Sequence, residues 1–577
     1  MAVTSTEVTF ERVDELPILL HGLQQLKLAE TIDAALSPPH GDRRGLSYRQ
    51  LSVLLVAFIM SQAEHRLCAV EDWVKTHHLS LSQITGWEIG AKDATDDRLG
   101  GLVERLGRHE EARFHMEQQL GGQMIRGYGL PTEVGRCDSS SFSVYHQIAP
   151  EEEEERLLRF GHSKDHRPDL RQYRQVLGTL DPAGVHLLSA TLPGHGADDP
   201  IDVPMWKRMA QTIGHKDFVF IADCKASAHS TRAQIDQQGG LYCVPLALTG
   251  RMDQTFAQWV LDPPAAIESI YLPGQDRSEE PIGEGFELQL GQRWRDGKAE
   301  AVTDTWMERQ LVVRSHALAQ QQQQGLEQRL SRAEEALNAL SKRSHKDCCA
   351  LQQEVEALLK RHRVSEFFQW QVHYAPRMRY TKRGRPKPDD LSQQRLEERF
   401  SLSFERKAGA IEQAQRSCGW RIYVTNAPIT RLERAQAVVY YRDQWTLERG
   451  YSRFKRGALP ALPIFLQSDE RIIGLMFLLT VALRLFTLME FVVRRQLEQD
   501  KTEVAGLYAG NPKRTTRRPS TESLLSAFTG ITLCRLPSGD YYITPLTPLQ
   551  TQILTLMGIP PNLYHLLKLP SPSLTAA

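Results

Sequence analysis

The sequence has no pair of cysteines at the spacing Cys-x-x-Cys, although it contains eight cysteines in 577 residues. Without such a pair, a zinc knuckle is not expected. Scattered cysteines in a long chain favour a reducing cytoplasm over a secreted disulfide framework. The first residues also lack a basic start followed by an apolar run, so we expect no signal peptide and a cytoplasmic protein.

Net charge and long apolar runs are also missing. The 70 basic residues balance 70 acidic residues, which does not exclude nucleic-acid binding, because binding depends on local clusters of charge. The most apolar stretch, 472–483, has 12 residues and is followed by Arg484 and Glu490. It is too short to span a bilayer. We therefore predict a buried core helix there and no membrane partner.

The chain is long enough for roughly three or four domains. Periodicity and composition predict an α/β protein with an N-terminal all-helical domain and an insertion domain. The predicted segments are 1–126, helical; 127–245, the first part of an α/β core; 246–415, an insertion with strands and heptad-like helices; 416–500, the second part of the core; and 501–577, a basic and helical tail. The helical segment is either a DNA-end-binding domain or a structural or oligomerising bundle.

A heptad-like pattern marks the insertion. Leu326, Leu330 and Leu337 follow a four-three spacing, and a similar pattern continues after a polar break at 341–347. Such spacing predicts a helical hairpin within the chain or a short coiled coil between two copies.

Two aspartates follow runs that predict strands. Asp138 closes the run 134–138, and Asp223 closes the apolar run 218–222, which predicts a strand covered on both faces. The runs 173–180 and 185–191 also predict strands. Carboxylates at adjacent strand ends of one sheet lie close together and repel unless a cation bridges them. Either aspartate alone is weak evidence, because aspartates at strand ends are common turn formers.

Glu448 lies in a segment, 429–454, that predicts a helix. On a helix, Tyr441, Glu448 and Lys455 are seven residues apart and share one face. Such a face presents a metal ligand beside a cation that can bind phosphate. A solvated face with a contact between Glu448 and Lys455 is the alternative.

The pattern is similar to the Tyr-x2-Arg-x3-Glu-x6-Lys motif of bacterial insertion-sequence transposases with a DDE active site. Tyr441, Glu448 and Lys455 match it in type and spacing, while Gln444 stands at the Arg position and leaves one phosphate contact of the motif unaccounted for. The segments 161–169, 222–225, 448–451 and 507–514 resemble the insertion sequence 1634 group of the insertion sequence 4 superfamily. The resemblance runs from about residue 5 to about residue 565.

The resemblance implies a ribonuclease-H-like core, a mixed sheet with flanking helices. In that core the first Asp lies on the first strand, the second on the fourth strand, and the Glu on a later helix after an insertion. It implies Asp138, Asp223 and Glu448 as catalytic residues that hold two Mg²⁺ or Mn²⁺ ions per active site. Asp138 would bridge both ions, and Asp223 and Glu448 would each complete one site.

The resemblance also implies contacts with DNA. Lys455 would contact a phosphate, and Tyr441 would do the same or stack on a displaced base. His146 and Lys164 are further candidates near the site. Arginines beside Gly and Pro can enter a minor groove, and a solvated loop is the alternative. Two clusters of basic residues are the candidates for these DNA contacts. The first, beside Gly384 and Pro386, contains Lys382, Arg383 and Arg385, and the second contains Arg514 and Arg517.

The implied activity is DNA transposition, with cleavage at element ends and strand transfer into target DNA. The expected partners are double-stranded DNA, as terminal inverted repeats and as target, and a second copy of the chain, since two ends must be joined. The expected location is the bacterial cytoplasm, on the nucleoid when DNA is bound. Two alternatives stay open: an inactive remnant that binds element ends, and a related metal-dependent nuclease without strand transfer. The cut-and-paste route follows from the resemblance alone.

Overall fold

The computed structural model describes residues 8–37, 45–146, 156–196, 201–294, 304–380 and 394–568. The chain divides into two compact units. Unit 1 comprises Met1–Val244, Arg293–Trp306 and Tyr440–Ala577, and unit 2 comprises Pro245–Gln292 and Met307–Val439. Both units combine helices with strands, so the chain is a mixed α/β protein, as its sequence predicts.

Unit 1 begins with a short strand and a run of helices. These elements are β1 (Thr9–Arg12), α1 (Leu16–Gln25), α2 (Leu28–Ala35), α3 (Tyr48–Gln62), α4 (Leu67–Thr76), α5 (His78–Thr85), α6 (Asp96–Arg108) and α7 (Glu110–Tyr128). Leu16 and Leu20 are buried on α1, and Pro17 lies in its first turn, where a missing N–H costs little. Ser47 and Gln50 form a capping box at the start of α3. Apolar spacing thus accounts for α1, and local capping accounts for the start of α3.

The strands after α7 form a mixed sheet. They are β2 (Val134–Val144), β3 (Arg171–Asp181), β4 (Val185–Pro193), β5 (Val219–Ile221) and β6 (Leu241–Pro245). Their order is β4-β3-β2-β5-β6, with β2 antiparallel to β3 and parallel to β5. Helix α8 (Asp202–Ile213) connects β4 to β5, and α9 (His229–Gln237) connects β5 to β6. Every residue of β5 is buried, as expected of a strand covered on both faces.

Unit 2 contains its own strands and a helical hairpin. The elements from residue 251 to 425 are α10 (Arg251–Leu261), β7 (Glu268–Ile270), β8 (Gly283–Trp294), β9 (Asp304–Ser315), α11 (His316–Ser341), α12 (Cys348–His362), β10 (Phe368–Tyr374), β11 (Arg377–Tyr380), β12 (Gln394–Glu397), β13 (Phe400–Arg406), α13 (Ala408–Ser417) and β14 (Trp420–Thr425). The heptad-like leucines of α11 pack with those of α12, with Phe368 and with Leu402 in one cluster. The heptad pattern therefore forms a hairpin within the chain, which was one of the two predicted arrangements.

The C-terminal part begins with three helices: α14 (Arg434–Arg442), α15 (Trp445–Arg456) and α16 (Asp469–Gln499). The remaining elements are β15 (Val504–Ala505), β16 (Thr515–Thr516), α17 (Thr521–Ser526), β17 (Thr532–Arg535), β18 (Tyr541–Ile543) and α18 (Pro548–Leu556). A Cβ at Gly474 would lie 1.8 Å from the carbonyl oxygen of Val103. Glycine is therefore needed where α16 meets α6.

The apolar helix α16 is buried in unit 1. By length and composition it could cross a membrane, and so could the pair α3 and α4 if their 88° bend is taken as part of one span. However, 94% of the apolar window of α16 is buried inside the protein. The prediction of a core helix at 472–483 is confirmed by this burial. The expectation that the stretch is too short to span a bilayer is wrong, because the helix has 31 residues.

Candidate active site

Asp138 on β2 and Asp223, two residues past the end of β5, lie at matching distances from the last pair of these two parallel strands. In the register of β2 and β5, Arg136 pairs with Ile221. Each aspartate lies two residues further along its chain, and alternate side chains of a strand point to the same face. Neighbouring strands are about 4.8 Å apart. The register therefore brings the two carboxylates together, and both line one small cavity.

The prediction that Asp138 closes its strand is wrong. β2 pairs with β3 as far as Val144, and Asp138 pairs with Leu177 near its middle. The three serines after Asp138 interrupt the apolar pattern, but two of them, Ser139 and Ser141, are buried within the strand. The parallel pairing of β2 with β5 ends at Arg136, two residues before Asp138. Asp138 therefore lies just past that pairing, where the sheet opens.

The cavity contains a third carboxylate that was not predicted. It has a volume of about 10 Å³, close to the room that one water molecule needs. Its lining residues are Cys137, Asp138, Ser139, Val176, Ile201, Asp202 and Asp223. Asp202 is the first residue of α8 and is 8% exposed. Its signal in the sequence was an Asp two residues before Pro204, which is typical of a first helical turn but does not reveal which sheet edge the helix reaches.

The Cys137 thiol is held neutral by its surroundings. Burial raises its pKa well above the usual range, and the charges of Asp202, Asp138 and Asp223 raise it further. The charged groups that line the cavity are therefore the carboxylates, which offer oxygen ligands.

Glu448 lies on α15 and is exposed. The predicted single helix over 429–454 is wrong, because α14 ends at Arg442 and α15 begins at Trp445. The Tyr440 carbonyl, which would accept from the N–H of residue 444 in a continuous helix, accepts instead from the Arg136 guanidinium. The N–H of Gln444 donates to the Tyr441 carbonyl in a tighter turn. Tyr441 therefore does not share a helix with Glu448 and Lys455.

Tyr451 connects the helix of Glu448 to the strand of Asp138. Its buried hydroxyl lies 2.7 Å from the Asp138 carbonyl oxygen and 3.0 Å from the Gln175 carbonyl oxygen, and is placed to donate to either. A Cβ at the neighbouring Gly450 would lie 2.5 Å from Nε2 of His186. Glycine thus allows α15 to approach the sheet closely enough for the Tyr451 contact.

His186, beneath Gly450, is a neutral core residue. Burial, with the charges of Arg453 and Arg484, lowers its pKa to about 3. In the part of the chain that the structure describes, neither ring nitrogen has a hydrogen-bond partner. The ring therefore contributes packing under α15 and no charge.

Ion pairs also hold α15 against helices α16 and α17. Arg453, which is buried, donates to Glu490 of α16 and to Glu522 of α17. Arg449 donates to the same Glu490 at 2.7 Å. The backbone of Glu448 is therefore set by contacts of α15 with β2, β3, α16 and α17, although the Glu448 side chain is exposed.

We expect Tyr451→Phe to destabilise unit 1 by about 1–3 kcal/mol, because the phenyl ring keeps its packing while buried carbonyls lose a donor. Urea unfolding followed by tryptophan fluorescence measures the change. Tyr542→Phe is the matched control, since Tyr542 is 57% exposed and its loss should cost less than about 0.5 kcal/mol. If the two substitutions lowered the free energy of unfolding equally, the Tyr451 hydroxyl would not stabilise unit 1 through its contacts with the two carbonyls.

One loop involves both lysines near the site: it contains Lys164, and its Asp165 contacts Lys455. Lys455 donates to Asp165 at 2.8 Å and lies 5.1 Å from the centre of the Phe142 ring. Lys164 lies 3.7 Å from a carboxylate oxygen of Asp138. The segment 161–169, which stood out in the sequence, therefore supplies ion-pair partners to both a predicted metal ligand and a predicted phosphate ligand.

The other predicted contact residues lie elsewhere. His146 bonds the Ile464 carbonyl, which is a structural contact. Arg514 stacks on the Tyr508 ring at 4.2 Å, and Arg517 pairs with Glu503 at 2.9 Å. None of these lines the cavity. The residues Lys382, Arg383 and Arg385 lie outside the described residues.

The cavity fits a divalent cation in its chemistry and only partly in its geometry. Carboxylates are the ligands that Mg²⁺ and Mn²⁺ prefer, and Asp138 and Asp223 would hold such an ion. Glu448 is not among the lining residues. Within the described ranges, no group of three or more His, Cys, Asp or Glu side chains is arranged to hold a metal ion. The third predicted ligand is thus the one that the structure does not bring to the cavity.

Comparison with known proteins does not place the chain in a family. No protein-family model matches the sequence, and no curated protein matches it. A function for this chain must therefore be inferred from its own residues and geometry, together with the motif resemblance.

Proposed function

We propose that this protein is a metal-dependent DNA transposase of the DDE type, with Asp138, Asp223 and Glu448 as its catalytic carboxylates. The observation that carries the proposal is that Asp138 and Asp223, each two residues past the last pair of β2 and β5, line one cavity with oxygen ligands. The motif of Glu448 and Lys455 on α15 supports a transposase within the wider class of metal-dependent phosphodiester enzymes.

The proposed core is ribonuclease-H-like. Three features of unit 1 support it. Asp138 lies on β2, the first strand of the sheet, and Asp223 lies two residues after the end of β5, the fourth strand counted from β2. Glu448 lies on a helix that follows unit 2 in the chain. This is the order that the resemblance implies.

The proposed reaction is hydrolysis of a phosphodiester at an element end, followed by attack of the freed 3′-hydroxyl on target DNA. Asp138 and Asp223 would hold divalent ions, and Glu448 would complete the set of ligands. Such ions would supply activation of the attacking oxygen and stabilisation of the leaving oxygen. Lys455 exchanges its contact with Asp165 for a DNA phosphate. The proposed partners are double-stranded DNA and a second copy of the chain, in the cytoplasm.

End-cleavage assays test this function. The DNA that flanks the gene should contain inverted repeats bounded by short direct repeats, and a duplex with such a repeat is the substrate. We expect cleavage with Mg²⁺, none with EDTA, and recovery when Mg²⁺ is restored. A duplex with a scrambled end is the control. Joining of the cleaved 3′ end to a plasmid supports a transposase, whereas cleavage without joining indicates a nuclease and binding without cleavage indicates a remnant.

A further inference from the structure

Lys164 places a positive charge beside the two aspartates of the site. Its ammonium group lies 2.5 Å from the Ser139 carbonyl oxygen and 3.2 Å from the Ser139 hydroxyl. The same nitrogen is 3.7 Å from Oδ1 of Asp138. Backbone and side-chain oxygens of β2 thus contact this ammonium group, while the lysine side chain is 36% exposed.

The loop that carries Lys164 is anchored at several points. The backbone N–H of Lys164 donates to the Ser141 hydroxyl at 2.9 Å. The fully buried amide of Gln172 donates to the carbonyls of His162 and Gly194. A Cβ at Gly161 would lie 2.2 Å from the Gly194 carbonyl oxygen, so the start of the loop must be glycine. The next residue of the loop, Asp165, accepts from Lys455 at 2.8 Å. The position of Lys164 is therefore built into the fold.

We propose that Lys164 competes with divalent cations for Asp138. This inference rests on the proposed metal site. A dication at Asp138 meets a like charge within a few ångströms and must displace the ammonium group from the carboxylate. The backbone of the loop is anchored, so the lysine side chain alone moves, and metal binding then costs the contacts of its ammonium group with Asp138 and Ser139.

Manganese binding to the full-length protein tests the competition. Free Mn²⁺ is measured by electron paramagnetic resonance during titration of wild type and of Lys164→Met. We expect the variant to bind Mn²⁺ about 5- to 10-fold more tightly, since a partly screened like charge is removed. Lys164→Arg keeps the charge and should bind as wild type does. Lys164→Gln, whose amide can still donate to the Ser139 carbonyl, replaces Lys164→Met if that variant does not fold.

Two further variants assign the effect. Asp165→Asn changes the same loop but keeps the Lys164 charge, so it should not tighten binding. Adding Asp138→Asn to Lys164→Met should remove the gain. If wild type binds Mn²⁺ and Lys164→Met binds it no more tightly, the competition is wrong while the metal site stands. If neither protein binds Mn²⁺, the metal site itself is wrong.

Discussion

Asp138→Asn, Asp223→Asn and Glu448→Gln should each lower Mg²⁺-dependent cleavage of end DNA by at least about 1,000-fold. Metal ions contribute several kcal/mol to such reactions, and each 1.4 kcal/mol corresponds to a factor of ten in rate. Single-turnover cleavage of a labelled duplex measures the loss. Binding of the uncut duplex, measured by gel shift, should stay within a few-fold of wild type, since DNA affinity comes mainly from contacts to phosphates.

Amide substitutions separate chemistry from folding. The Asp223 side chain accepts from the backbone N–H of Lys225 at 2.9 Å, and an asparagine oxygen can accept the same bond. Asp97→Asn and Glu498→Gln make the same chemical change at exposed positions of unit 1 and should cleave normally. Normal cleavage by Glu448→Gln would show that the third carboxylate is wrongly assigned, and normal cleavage by Asp223→Asn would refute the site.

Elements whose pattern reflects a buried face could be predicted closely. The runs 173–180 and 185–191 predict two strands, which the structure extends to Arg171–Asp181 and Val185–Pro193. The all-apolar run before Asp223 predicts a strand buried on both faces, as β5 is. In these cases the order of apolar side chains along the chain reflects which faces of the strand are buried, so the sequence alone indicates the strand. The juxtaposition of Asp138 and Asp223 followed from these strands and the expectation that they are neighbours.

Features that depend on distant residues could not be predicted. The break between α14 and α15 involves the Tyr440 carbonyl and Arg136, which are 304 residues apart in sequence. Asp202 reaches the cavity only because α8 crosses the sheet between β4 and β5. Lys164 was a near-site candidate, but its contact with Asp138 depends on the anchoring of a loop by Gln172. No periodicity in the sequence encodes such contacts.

The largest effect on stability is expected at Glu117, far in sequence from the candidate site. Glu117 is 1% exposed and lies on α7. Its carboxylate accepts from the backbone and hydroxyl of Ser189, from Arg208 at 3.1 Å and from Arg484 at 2.6 Å. One side chain therefore joins α7 to β4, α8 and α16. Burial lowers the pKa of Arg484, and the Glu117 charge opposes that effect.

Glu117→Met should lower the free energy of unfolding by about 3–5 kcal/mol, because it leaves the buried Arg484 guanidinium without its carboxylate partner. Urea unfolding measures the loss. The double variant Glu117→Met with Arg484→Met should recover much of it, since replacing a whole buried pair by apolar groups is far less costly than breaking it. Glu110→Met, at an exposed position of the same helix, should change stability by less than about 0.5 kcal/mol. If the single and double variants were equally unstable, Glu117 would be required for its contacts with Ser189 and Arg208, and the pair with Arg484 would not be the source of the effect.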